Sequence, residues 1–153
     1  MHSPSSSSST GILLIAHAPL ASALKACAVH MLPEYEHCMI AYDVAPQIIW
    51  EDELQHCLKL VQQLDCSQLL VMTDIIGATP YNLGKSLLDS LTDNPTHKPV
   101  QLVSGTNIPM LLRALTYRQK PLDELVGLVI AGGRKGIQHA DTDFSESMLQ
   151  IYH

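Results

Sequence analysis

GILLIAHAPLASALKACAVHML, residues 11–32, is the stretch that decides the fold class. The run from Gly11 to Ala16 is apolar without polar alternation, which is typical of a parallel strand that is buried on both faces. Apolar residues then recur at helical spacing from Leu20 to Leu32. A buried strand that is followed by a helix is the repeating unit of α/β proteins.

The same unit recurs further along the chain. A final helix is expected from Leu122 to about Ala131, with Gly132-Gly133 as its stop and a solvated turn after it. We predict a doubly wound α/β fold with a mainly parallel sheet of four strands, in the order 2-1-3-4, and helices on both faces. The later strand and helix pairs are predicted at Cys38–Val44 and Glu51–Leu64, Leu69–Thr73 and Pro80–Leu91, and Pro99–Val103 and Ile108–Tyr117.

Length and composition limit the domain count and the partners. The 153 residues suffice for one compact domain, predicted at residues 11–153, after a disordered serine-rich tail at residues 1–10. The formal charge of −6 and the aromatic content of 5% argue against a nucleic acid partner, because such partners need clustered cations and stacking rings. No apolar run is long enough to span a membrane, so no direct membrane insertion is expected.

The cysteines and the amino terminus indicate a cytoplasmic protein. Cys27, Cys38, Cys57 and Cys66 lack the spacing of zinc ligands, so we expect them to be reduced and mostly buried. The first apolar run resembles a secretory signal, but residues 1–10 carry no Lys or Arg. We therefore predict a cytoplasmic location.

Polar residues follow the predicted strands at the edge where ligands bind in open parallel sheets. In the order 2-1-3-4 the switch point lies between strands one and three, which would place His17 beside Asp74. A carboxylate that accepts a hydrogen bond from one ring nitrogen fixes the tautomer and leaves the other nitrogen as a nucleophile. Backbone N–H groups at the helix starts after His17 and Thr79, and the Thr79 hydroxyl, could stabilise an incoming phosphoryl group.

The presence of these residues at the strand ends can also be explained by structural roles alone. His17 could be a hydrogen-bonded histidine at a helix start, and Asp74 and Thr79 could be helix caps. Asp43 has an alternative of its own, because receiver-type domains accept phosphate on a strand-end acid. Those domains hold paired acids after their first strand, where this chain has His17 and Ala18.

Three separated blocks resemble the mannose-type enzyme IIA of the bacterial sugar phosphotransferase system. These blocks are Gly11–His17, Thr73–Asn82 and Gly105–Leu111, and the resemblance runs in register from about Gly11 to Ile137. It implies a phosphocarrier that accepts a phosphoryl group on a histidine from the histidine phosphocarrier protein, HPr, and passes it to a IIB protein. The resemblance maps this histidine to His17, its orienting aspartate to Asp74 and the family's hydroxyl residue to Thr79.

The resemblance also implies a homodimer, in which the C-terminal part crosses to the partner subunit as an extra edge strand. It implies no metal and no cofactor. Ala18-Pro19 stands where the family usually has glycine after the histidine, and Ile75-Ile76 replaces a stretch with an aromatic residue. These departures leave the acceptor open. A regulatory protein, whose phosphorylation state controls a partner without sugar transport, is the alternative, and the sequence does not identify the sugar.

Overall fold

The computed structural model describes residues 9–95 and 97–140. Its sheet has four strands, all paired in parallel, in the order β2-β1-β3-β4. The predicted α/β class and strand order are therefore confirmed. The strands are β1 (Thr10–His17), β2 (Met39–Val44), β3 (Gln68–Thr73) and β4 (Val100–Val103).

Helices cover both faces of the sheet, as predicted. One face packs against α1, α4 and α5, and the other packs against α2 and α3. A short 3-10 helix, Pro33–Cys38, precedes β2. The helices are α1 (Leu20–Met31), α2 (Trp50–Gln62), α3 (Thr79–Thr92), α4 (Ile108–Thr116) and α5 (Leu122–Lys135).

The two central strands form the core. Every residue of β3 is buried, and so is every residue of β1 except His17 at its end. Alternate side chains of β1 enter opposite clusters: Ile12 and Leu14 face α1, whereas Leu13 and Ile15 face α3. This two-sided burial explains why the run lacks polar alternation.

At the amino edge of the sheet, the side-chain amide of Gln68 makes a network of hydrogen bonds, and this residue is only 5% exposed. The Gln68 amide donates to the Thr10 hydroxyl at 2.8 Å and to the Lys120 carbonyl at 2.6 Å, and its oxygen accepts from the Leu122 N–H at 3.1 Å. Thr10 is thus a fully buried residue of β1. Thr10, which was assigned to the serine-rich tail, therefore belongs to the core.

The predicted stop of the last helix at Gly132-Gly133 is wrong, because α5 continues to Lys135. These glycines allow α5 to approach α4 closely. A Cβ atom at Gly132 would lie 2.5 Å from Cγ of Arg113, and one at Gly133 would lie 2.5 Å from Cγ of Met110. Glycine is required here for packing between helices and not for a turn.

The cysteines, the search for membrane-spanning helices and the two chain ends complete the comparison with the sequence. Cys38, Cys57 and Cys66 are buried, Cys27 is exposed, and all four are free thiols. Within residues 9–95 and 97–140, no helix is long and apolar enough to cross a membrane. A short helix or exchanged edge strand was expected within residues 134–153; of these, Arg134 and Lys135 end α5 and residues 136–140 form no strand. Residues 1–8 of the predicted tail and residues 141–153 lie outside the described residues.

Candidate functional site

His17 is the last residue of β1, at the carboxyl edge of the sheet. β1 lies between β2 and β3, so this histidine occupies the predicted switch point. Its side chain is 54% exposed, whereas the side chain of Asp74, the first residue after β3, is only 10% exposed. The half-exposed ring of His17 is thus held by a nearly buried carboxylate.

The contact that the sequence predicts between His17 and Asp74 is present. Oδ2 of Asp74 accepts hydrogen bonds from Nδ1 of the His17 ring at 2.7 Å and from the His17 backbone N–H at 3.0 Å. Oδ1 accepts from the Ile75 N–H at 2.9 Å. The carboxylate therefore fixes both the backbone and the ring of the histidine.

Backbone hydrogen bonds fix the position of Asp74 itself. The Gly105 N–H donates to the Asp74 carbonyl at 3.0 Å, and the N–H and hydroxyl of Thr106 donate to the Thr73 carbonyl at 3.1 and 2.7 Å. Gly105 has a φ of +75° and Gly77, after Asp74, has a φ of +83°. Both loops need glycine for this backbone conformation.

Opposing effects set the pKa of Asp74. Burial raises the pKa of this carboxyl, but hydrogen bonds from the His17 backbone, the His17 ring and the Ile75 N–H lower it more, so the net pKa lies below the ordinary value. An ionised carboxylate only accepts hydrogen bonds, so Nδ1 of His17 carries the proton. In the neutral ring, Nε2 then holds the free lone pair and faces away from Asp74.

Thr79 lies at the start of α3, but its predicted role as a cap is wrong. Ala78 is the N-cap residue and makes no side-chain cap, and Thr79 is the first helical residue. The Thr79 side chain is exposed and makes no hydrogen bond within the described part of the chain. The first turn also lacks acidic residues, so its N–H groups and the Thr79 hydroxyl are available to an anion.

The start of α1 was also expected to offer donors to a phosphoryl group, but it is less favourable to an anion than the start of α3. The Ala18 N–H donates to the Val44 carbonyl at 3.0 Å, and Pro19 has no N–H. The Ser22 N–H and hydroxyl both donate to the carboxylate of Asp43. Asp43 thus caps α1, and its negative charge opposes the binding of a second anion there.

One contact at this edge was missed in the sequence. The contact between Asp43 and Ser22 joins residues 21 positions apart, and only the register of β1 with β2 brings them together. Exposed apolar side chains lie beyond the carboxyl ends of β1, β2 and β3, at the same edge of the sheet as His17. They are Leu20, Ile49, Trp50, Ile75 and Ile76, with exposed fractions between 38% and 71%.

A metal-binding group of acidic, histidine or cysteine side chains is not found in the described part of the chain. Among residues 9–95 and 97–140, no three of these side chains lie close enough to hold an ion together. Asp74 is engaged by His17 and Ile75, and Asp43 is engaged by Ser22. The arrangement suits a histidine nucleophile that is oriented by a carboxylate.

Two solved structures with the same fold are components of phosphotransferase systems. The EIIA component from Streptococcus agalactiae is 23% identical, with a TM-score of 0.70, and the match covers 85% of this chain and 96% of that one. The mannose/sorbose specific IIA subunit from Enterococcus faecalis is 17% identical, with a TM-score of 0.74, covering 90% and 98%. At these identities the likeness establishes the fold.

A third structure with this fold is not named as a phosphotransferase component. It is a sigma-54 interaction domain protein from Enterococcus faecalis, 14% identical, with a TM-score of 0.65, and the match covers 86% of this chain and 95% of that one. The EIIA-man family model, described as the PTS system fructose IIA component, matches residues 11–129. Because this match spans well over half of its 153 residues, the chain belongs to the EIIA-man family of the phosphotransferase system.

Proposed function

We propose that this protein is a phosphocarrier that accepts a phosphoryl group from phosphorylated HPr on His17 and passes it to a IIB protein. The observation that carries the proposal is the double hydrogen bond from His17 to Oδ2 of Asp74. It holds Nδ1 and leaves Nε2 exposed as the nucleophile. This role belongs to the cytoplasm, where four free thiols would also stay reduced.

The transfer step follows from this geometry. The lone pair of Nε2 attacks the phosphorus atom of the donor phosphohistidine, and the bond between phosphorus and the donor nitrogen breaks. The electron pair of that bond returns to the donor imidazole, which leaves. Asp74 balances the positive charge that develops on the His17 ring, and no metal ion is needed for a reaction that positioning and local electrostatics can catalyse.

The phosphoryl oxygens would bind at the start of α3. This helix begins without a side-chain cap or an acidic residue, whereas α1 is capped by Asp43. The N–H groups of Thr79 and Tyr81 have no partner within the helix, because the first bond of α3 is from the Asn82 N–H to the Ala78 carbonyl. We assign Thr79 to this cradle as a hydrogen-bond donor.

A protein partner is favoured over a small substrate. Exposed apolar side chains follow β1, β2 and β3 at the edge of the sheet that holds His17, among them Ile76 at 71% exposure and Ile49 at 69%. Apolar patches of this kind mark protein interfaces. Because this chain has a charge of −6, a donor with a basic or neutral face, as proposed for HPr, would associate faster at low salt.

The second candidate is a regulatory protein that binds its target differently before and after phosphorylation. The likeness to a sigma-54 interaction domain protein favours this alternative. Both candidates share phosphorylation on His17 and differ in the acceptor. Chasing labelled protein with purified IIB would separate them, because a carrier loses its label and a regulator keeps it.

We further propose a homodimer. In the described part of the chain β4 forms one edge of the sheet, and the N–H and C=O groups of such an edge can pair with a second chain. Sedimentation should detect a dimer, and a stable monomer at micromolar concentration would refute this part of the proposal.

The test of the main proposal is incubation with enzyme I, HPr and labelled phosphoenolpyruvate. The intact chain should acquire one acid-labile phosphoryl group, and the H17A variant should acquire none. The H97A variant serves as the control, since His97 is also exposed but bonds through Nδ1 to the Asn94 carbonyl. Label on H17A, or label mapped to Asp43, would overturn the mechanism.

A further inference from the structure

A cavity of about 390 Å³ lies at the amino edge of the sheet, opposite to His17. It opens between the C-terminal ends of α2 and α3, against the first residues of β3 and β4. Buried Leu64, Cys66 and Leu69 form its floor, and Leu58 and Val61 of α2 form a wall. Its volume is within the range of sites for small molecules.

The charge around this cavity is unusual for the chain. The protein has fifteen Asp and Glu against nine Lys and Arg, yet the residues that line the cavity include no carboxylate. Lys98 and His97 lie at its exposed rim. Lys98 forms no ion pair or hydrogen bond within the described residues, so its ammonium group is available to an anion.

We propose that this cavity binds a small aliphatic carboxylic acid. The apolar floor and wall would hold the hydrocarbon chain, and Lys98 would bind the carboxylate at the rim, with the exposed Ser90 hydroxyl as a second donor. One lysine above an apolar floor suits a single negative charge on an apolar body better than a phosphate or a sugar. The site is separate from His17 and does not depend on the proposed phosphocarrier role.

The test is calorimetric titration of the full chain with butanoate, hexanoate and octanoate, and with 1-octanol for comparison. Each added methylene should tighten binding about fourfold, since burial of one CH₂ is worth about 0.8 kcal/mol. Amide chemical shifts should change at the ends of α2 and α3 and not around His17. Failure to bind octanoate, or shift changes centred on His17, would overturn the proposal.

Two variants test the two halves of the ligand separately. K98Q should weaken octanoate binding about three- to fivefold and leave 1-octanol binding unchanged, because it removes one exposed ion pair. K85Q is the matched control, since Lys85 is exposed on α3 and does not line the cavity. V61F should narrow the cavity and weaken both ligands.

The other occupant to consider is a second copy of the chain. In that case K98Q or V61F would change the sedimentation coefficient. Octanoate would then dissociate the assembly, whereas a ligand of the proposed site would bind without changing the mass of the assembly. Dissociation would contradict the proposed ligand site, as would equal binding of octanoate by K98Q and K85Q.

Discussion

The two edges of the sheet each hold a polar cluster, and they differ in how completely its hydrogen bonds are formed. At the amino edge, Gln68 is buried and uses its amide as donor twice and as acceptor once. At the carboxyl edge, His17 is half exposed and uses only Nδ1 of its ring. The first cluster leaves no polar group of the Gln68 amide unused, whereas the second leaves Nε2 of His17 without a partner among the described residues.

Replacement of Asp74, at the carboxyl edge, should have the largest effect, and this effect should be on the rate of phosphorylation. In D74N, the amide can donate to Nδ1, so the ring adopts the other tautomer and Nε2 carries the proton. We expect phosphorylation to be about ten- to a thousandfold slower, by comparison with other His and Asp pairs. Quench-flow labelling gives the rate, with D89N, an exposed acid on α3, as the control. A wild-type rate would remove Asp74 from the mechanism.

Replacement of the amide at the amino edge should affect stability alone. Q68M leaves the Lys120 carbonyl and the Leu122 N–H without the partner that they have now. We expect a loss of about 2–4 kcal/mol in the free energy of unfolding, because buried unpaired polar groups are costly. Urea titration checks this value against Q63M, which changes an exposed glutamine. A rate of phosphorylation that falls below half of wild type would break the distinction between the two edges.

Substitutions at the glycines of α5 measure how much the packing of α5 against α4 contributes to the stability of the fold. G133A places a methyl group against Met110, so we expect a loss of about 1–3 kcal/mol. G127A is the matched control, because its Cβ would meet nothing within 4 Å and it should gain about 0.5–1 kcal/mol from helix propensity. Thermal unfolding of both variants measures the two values. Equal shifts of the same sign would show that the close approach of α4 and α5 is not limiting.

The smallest expected effect is the dependence of the free energy of unfolding on pH. The pKa of Asp74 is lower in the folded than in the unfolded chain, so its charge stabilises the fold above the unfolded pKa, near 4, and this stabilisation is lost as the pH falls through the folded pKa. The difference in unfolding free energy between wild type and D74N should therefore shrink between pH 7 and pH 3. A difference that grows on acidification would mean that the pKa is raised.

The sequence predicted the sheet because its apolar runs are long, unbroken and separated by helical patterns. Once the strand order was assumed, the meeting of His17 and Asp74 followed, since both end neighbouring strands. The end of α5 could not be predicted, because glycines that stop a helix and glycines that admit a neighbouring helix look alike in a sequence. The capping of α1 by Asp43 was also hidden, since it depends on tertiary contact.

The direction of the free nitrogen has a kinetic consequence. Because Nδ1 is bonded to Asp74, Nε2 is the ring nitrogen left for both donor and acceptor. A phosphocarrier that uses one nitrogen for both must release its donor before its acceptor can bind. Donor and acceptor then compete for one surface, and an excess of donor that cannot be phosphorylated should slow the discharge of His17 as strongly as it slows the loading.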